Sequence, residues 1–178
     1  MRLFGCSATL VCGLVAPALA AEPGKAVGTI TIHKATTTLS VAAETKVEGL
    51  FDSKKQDTLV VLSDKPLGAT RPDDEIGLSM RARKGEMVVM ALRIDGSTLV
   101  NVKISHEGLS GYVTLPGAWF QYTASKRGTG TLKLNPRTFD GRSYACAVEF
   151  AAAPAADPAA AAAPVPPPAA AKDPPPAK

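Results

Sequence analysis

From Val27 to Phe150 the chain breaks into short apolar or alternating runs, each closed by Gly, Pro or Asp-Gly. No window of eleven or more residues there carries a convincing helical period. A chain punctuated that often buries apolar surface by pairing strands. Gly28 to Ile32 sets Thr29 and Thr31 against Ile30 and Ile32, Thr58 to Ser63 holds Leu59-Val60-Val61-Leu62, and Glu86 to Ile94 is almost continuously apolar. Asp95-Gly96 is a tight-turn signal ahead of Leu99 to Ser105, where Val100, Val102 and Ile104 share a face, so the two flanking runs predict a hairpin. Gly111 to Leu115, Trp119 to Thr123, Thr131 to Asn135 and Ser143 to Phe150 complete the set. The expected product is all-β: a single antiparallel β-sandwich of seven to nine short strands, with a closed or partly open barrel as the alternative.

The two ends read differently. Met1 to Ala20 carries Arg2, an apolar run from Ala8 to Ala16, Pro17 and the small-x-small triplet Ala18-Leu19-Ala20, the order of a signal peptide. Its apolar run falls well short of the roughly 20 residues that cross a bilayer, so residues 1–20 predict export to a periplasmic or secreted destination with no membrane span. Residues 21–26 read as a short linker and 27–150 as one sandwich domain. From Ala151 to Lys178, 14 of 28 residues are Ala and 9 are Pro. Such a segment offers nothing to pack and predicts a disordered tail, which as extended polyproline would reach roughly 85 Å at about 3.1 Å per residue.

Charge and cysteine content narrow the function classes. Without Arg2 the chain has 19 basic and 16 acidic residues, and the small excess is scattered, which argues against nucleic acid as a partner. Beyond the signal only Cys146 remains, so no intramolecular disulfide is expected. It shares a strand face with Tyr144, Val148 and Phe150 and reads as a buried, inert thiol. The chain lacks a Gly-x-Ser-x-Gly elbow, a Ser-x-x-Lys with Lys-Thr-Gly and a His-Glu-x-x-His, so no catalytic residue is assigned.

His33 has the parity of the polar face of its strand and reads as a solvated histidine. His106 opens the loop Glu107-Gly108-Leu109-Ser110-Gly111 and is the better candidate for ligand binding. Met87 and Met90 stand an odd number of positions apart on an apolar strand and read as core on opposite faces. Neither they nor Met80 make a convincing copper site, and no metal or other cofactor is assigned. Arg71-Pro72-Asp73-Asp74-Glu75 reads as a solvated turn without calcium-loop spacing.

Four further residues are candidate ligand contacts. In Trp119-Phe120-Gln121-Tyr122, alternation places Trp119 and Tyr122 on opposite faces, and an exposed ring could stack on a sugar. Arg81 and Arg83, with Arg93, read as a basic stripe on adjacent strand segments. Ala35 to Ser40 reads as a polar edge strand open to a partner peptide or a second copy, giving a monomer or a weak dimer.

The block Leu50-Phe51-Asp52-Ser53-Lys54-Lys55-Gln56-Asp57-Thr58-Leu59-Val60-Val61-Leu62-Ser63-Asp64-Lys65-Pro66-Leu67, with Phe139-Asp140-Gly141-Arg142-Ser143-Tyr144 and the strand to Phe150, resembles uncharacterised exported bacterial immunoglobulin-like domains. The resemblance covers about a quarter of the chain beyond the signal. It implies an exported immunoglobulin-like fold and carries no activity or site residue. The expected function is a non-enzymatic binding or accessory module of the bacterial cell envelope, with an envelope protein or glycan as partner. A carbohydrate- or peptidoglycan-associated module is one alternative, and a periplasmic copper carrier or hydrolase is another.

Overall fold

The computed structural model describes residues 21–126 and 128–155. The expected signal peptide at 1–20 and the expected tail from residue 156 onward lie outside the described residues. The chain runs β1 (Lys25–Ile32), β2 (Ala35–Glu48), β3 (Gln56–Ser63), α1 (Glu75–Arg83), β4 (Val89–Asp95) and β5 (Thr98–Ser105). It continues with β6 (Val113–Pro116), a 3-10 turn at Gly117–Trp119, β7 (Gln121–Lys126), β8 (Thr129–Phe139), β9 (Arg142–Ala151) and β10 (Ala153–Pro154). The all-β class expected from the sequence is what forms, and the Asp95-Gly96 hairpin is present, with Asp95 opposite Thr98.

All of these strands belong to one sheet, in the order β6-β5-β4-β3-β2-β1-β9-β8-β7, with antiparallel neighbours throughout. The exception is β10, which pairs in parallel with β2 at Ala153↔Ala43 and Pro154↔Glu44. Residues 25–26 and 151–155, assigned by composition to a linker and a tail, are thus part of the sheet or bonded to it.

A flat ladder of nine strands would hold its edges about 38 Å apart at about 4.8 Å per strand. Yet β6, at one edge, passes to β7, at the other, between Pro116 and Gln121, five steps that span at most roughly 18 Å. The sheet must therefore curl. Counting antiparallel steps, β6 and β7 run the same way, so the two are halves of one bent path that pairs first with β5 and then with β8. The bend at Gly117–Trp119 packs so tightly on β5 that a Cβ built on Gly117 would lie 1.9 Å from the Leu99 carbonyl oxygen. Phe120 then turns into the core. Trp119, expected on a strand, sits instead in this turn.

Curling gives the sheet one interior. Ile30, Leu39, Val60, Leu62, Met90, Leu92, Val102, Ile104, Leu115, Leu132, Tyr144, Cys146, Val148 and Phe150 fill it, alternate residues of almost every strand. A second core lies outside, where α1 covers β3 and β4: Leu59, Val61, Val89 and Ala91 pack there with Leu67, Leu78, Ala82 and Met87. Strands buried on both faces have no polar side, which is why β3 and β4 read as continuous apolar runs. Met87, which lies just before β4, and Met90 within it fall into different cores.

Helix α1 corrects the sequence reading, which put Arg81 and Arg83 on strand segments. Asp74 caps it, accepting the Gly77 N–H at 2.8 Å, Glu75 sits in the first turn, and Arg81 and Arg83 sit in the last, each complementing the helix dipole. Gly85, at φ 72°, follows its end. The acidic run is thus a helix start, and Glu75 also pairs with Lys103 at 2.7 Å. The predicted edge strand at Ala35 to Ser40 is corrected too: β2 is interior, between β1 and β3.

One buried ion pair pins the β2–β3 hairpin. Asp57, 3% exposed, accepts Arg93 Nε at 2.7 Å and the Leu50 N–H at 2.9 Å, while Arg93 also donates to the Glu48 carbonyl. The hydrogen bond and charge of Arg93, helped by the Leu50 amide, hold the Asp57 carboxyl below its ordinary 3.8 despite the opposing effect of burial.

Two measurements check this account. Gly117→Ala should lower stability in urea by about 2 kcal/mol, the scale of overpacking, whereas Gly111→Ala, with nothing within 4 Å of its Cβ, should change it by less than about 0.5 kcal/mol. A carboxyl whose folded pKa is depressed stabilises above its unfolded value and loses that contribution as pH falls through the folded one. Asp57→Asn should therefore destabilise most at pH 7, and its deficit should shrink as pH drops below 3.8.

Candidate functional site

Antiparallel pairing brings the end of β1, the start of β4, the end of β5 and the β8–β9 turn to one end of the curled sheet. A cavity of about 680 Å³ opens there. Its charged and histidine rim comes from three hairpin ends: His33 and Lys34 between β1 and β2, His106 and Glu107 after β5, and Arg142 opening β9. Ile32, Ala35 and Val88 supply apolar wall.

Each of these segments is held in place locally. The Asp140-Gly141 turn has φ of 50° and 70°, the paired left-handed conformation of a two-residue hairpin loop. His33 is also left-handed at φ 56°, a conformation unusual for a residue with a side chain, and its N–H is fixed by the Ser143 carbonyl at 2.6 Å. Among the described residues these two are the only non-glycines at positive φ, and both sit in turns bordering this cavity. Both are corners of two-residue hairpin turns, and Asp and His tolerate the left-handed conformation better than most side chains. The His106 loop is closed by Ser105, whose hydroxyl donates to the Gly111 carbonyl at 2.9 Å, and is anchored by the buried side chain of Leu109. Val88 is held by the Asp64 carboxylate, which accepts its N–H at 2.7 Å.

His106 carries the chemistry of this end. Its Nε2 is buried with no hydrogen-bond partner among the described residues. Burial pushes its pKa below the ordinary 6.5; the neighbouring Arg142 charge pushes the same way, against the main chain and carboxylate of Glu107. Nearby on β9, the Tyr144 hydroxyl is buried in the core and interacts with Arg142.

The other predicted contacts lie elsewhere. Tyr122 lines a separate cavity of about 410 Å³ at the opposite end, with Lys46, Gln56, Thr58 and Ser125. The Trp119 indole is only partly accessible: Arg137 stands 5.3 Å over its ring and Phe139 meets it edge-on at 5.9 Å. Arg81 is tied to the Leu67 carbonyl and to Glu86 at 3.2 Å, while Arg83 projects into solvent from the end of α1. The structure does not unite Arg81, Arg83 and Arg93 into a stripe, since Arg93 is committed to Asp57.

Cys146 is buried, and burial pushes its thiol up to about 12. Among the described residues no three His, Cys, Asp or Glu side chains converge as metal ligands. No helix among them is long and apolar enough to cross a membrane. The site residues missed in the sequence are His33, Lys34 and Arg142; the one local signal was the Asp140-Gly141 turn preceding Arg142. Comparison with protein-family models, curated proteins and solved structures finds no match to this chain.

A histidine whose folded pKa is lowered binds its proton more weakly than the unfolded chain does, so stability falls as pH drops below 6.5. His106→Gln should flatten that part of the stability-against-pH curve between pH 7 and 5, measured by urea denaturation at each pH.

Proposed function

We propose that this chain is an exported, non-enzymatic binding module of the cell envelope, and that it takes its ligand in the cavity between His33, His106 and Arg142. The observation that carries this reading is the cavity itself, which gathers His33, Lys34, His106 and Arg142 beside the apolar Ile32, Ala35 and Val88. A roomy concavity with apolar walls and a few convergent polar groups is the usual form of a small-ligand site. Export rests on the order of residues 1–20, and the Ala/Pro segment beyond the sheet suits a spacer between the domain and its partner. As to architecture, the continuous ladder and the bent β6–β7 path favour a partly open barrel over the two-sheet immunoglobulin-like sandwich.

A glycan-binding reading rests on the other cavity, where Tyr122 presents an aromatic ring among hydroxyl and amide groups. It draws less support from Trp119, whose ring already packs on Arg137 and Phe139.

Amide chemical-shift mapping with a library of small polar solutes and cell-wall fragments separates the two. The expected result is a set of ligands that shift residues 33–37, 88, 106–108 and 141–142, with Ala35→Trp, which fills the cavity, weakening them at least tenfold in a folded protein. Shifts confined to Gln56, Thr58, Tyr122 and Ser125 would move the function to the glycan reading.

A further inference from the structure

We propose that the ligand of this cavity is an amphipathic oxyanion, its carboxylate or phosphate seated on the Arg142 guanidinium beside the His106 ring and its apolar body lying on Ile32, Ala35 and Val88. The inference deepens the binding-module reading and rests on it.

Three observations meet at this point. First, Arg142 has donors to spare: beside its interaction with the Tyr144 hydroxyl, its contact with Asp140 is long, 3.8 Å, and its hydrogen bond to the Gly108 carbonyl is at the limit, 3.5 Å. A guanidinium has five N–H donors in a planar fork, and that fork matches an oxyanion. Second, the His106 ring stands on the same cavity and feels the Arg142 charge, and its Nε2 has no hydrogen-bond partner among the described residues. An oxyanion between the guanidinium and a protonated imidazole accepts from both and matches their charge, which a water does not. Third, the walls beside them are apolar, so the rest of the ligand should be apolar too.

The surrounding charges agree. Lys34 and Arg142 face the cavity from the β1–β2 and β8–β9 turns, with His33 and His106 beside them. Against them stand Glu107, whose carboxylate oxygen lies near Gly85, Asp140, which is largely exposed, and Asp64, which is bonded to the Val88 amide. An anion beside the His106 ring favours its protonated form, so ligand and proton bind with positive linkage. Affinity should therefore rise as pH falls, and bound ligand should raise the titration midpoint of His106.

Hexanoate, inorganic phosphate and hexanol are suitable probes for the purified chain, followed by amide and histidine-ring NMR from pH 5 to 8. Support would be hexanoate binding that shifts residues 33–37, 106–108 and 141–142, raises the His106 midpoint, and weakens at least tenfold in Arg142→Gln and His106→Gln. Arg142→Lys, keeping charge without the fork, should fall between. Phosphate binding there more tightly than hexanoate would keep the oxyanion and overturn the apolar body. Hexanol binding as well as hexanoate, with Arg142→Gln without effect, would overturn the oxyanion and leave the cavity reading intact. No probe, and no member of the wider solute library, shifting these residues would overturn both. Amide dispersion of each variant shows that it has folded before its affinity is read.

Discussion

Between Pro116 and Gln121 the chain leaves one edge of a nine-strand ladder and joins the other, and the rest of the molecule is arranged around that short bridge. The bridge makes the sheet curl, curling creates a single interior, and the alternate residues of the strands are selected to fill it. The cost of the curl is close backbone packing at Gly117, where no side chain fits against β5. It also fixes where function can lie. A curled sheet has two ends, and each end of this one carries a cavity lined by hairpin turns and strand termini.

The strand runs were legible because their alternation, or its loss in β3 and β4, follows directly from which faces are buried. Helix α1 was not, for a specific reason: Ile76, Leu78, Met80 and Ala82 occupy every second position, the period of a strand. On the helix those four split into two pairs four residues apart, Leu78 and Ala82 inward, Ile76 and Met80 outward. The outward pair is exposed, so the helix shows no single apolar stripe. The signal that marks it is end chemistry, Asp74 and Glu75 at the start, Arg81 and Arg83 in the last turn and Gly85 beyond, which in the sequence alone reads as a solvated turn and a basic stripe. Likewise, threonines at 36 to 38 suggested an edge, whereas β2 pairs on both sides, with the strands that precede and follow it in the chain.

The site was only partly legible. His106 stood out because it opens a glycine-rich loop. Nothing local links it to Lys34 or Arg142; they meet because Ile32 pairs with Tyr144 across the β1–β9 ladder, and because the β4–β5 ladder brings Ser105 opposite Val89. Trp119 and Tyr122 looked like neighbours on a strand, but the 3-10 turn separates them: one ring packs on Arg137 and Phe139, the other lines the far cavity. Sequence spacing predicts which residues share a strand face; it does not predict which hairpin ends a curled sheet will gather.

The β1–β9 ladder has a consequence for how the chain reaches this state. Ile30 faces Cys146 across more than a hundred residues of sequence, and β1 has β2 as its only other neighbour. The β1–β6 meander can assemble from near-neighbour pairings, but the interior stays open until β7, β8 and β9 arrive and β9 docks on β1. Such high contact order makes slow closure the expected regime. Until then the β1 edge is an unpaired template, vulnerable to another chain, and the His33 end of the molecule is completed only in that last docking step.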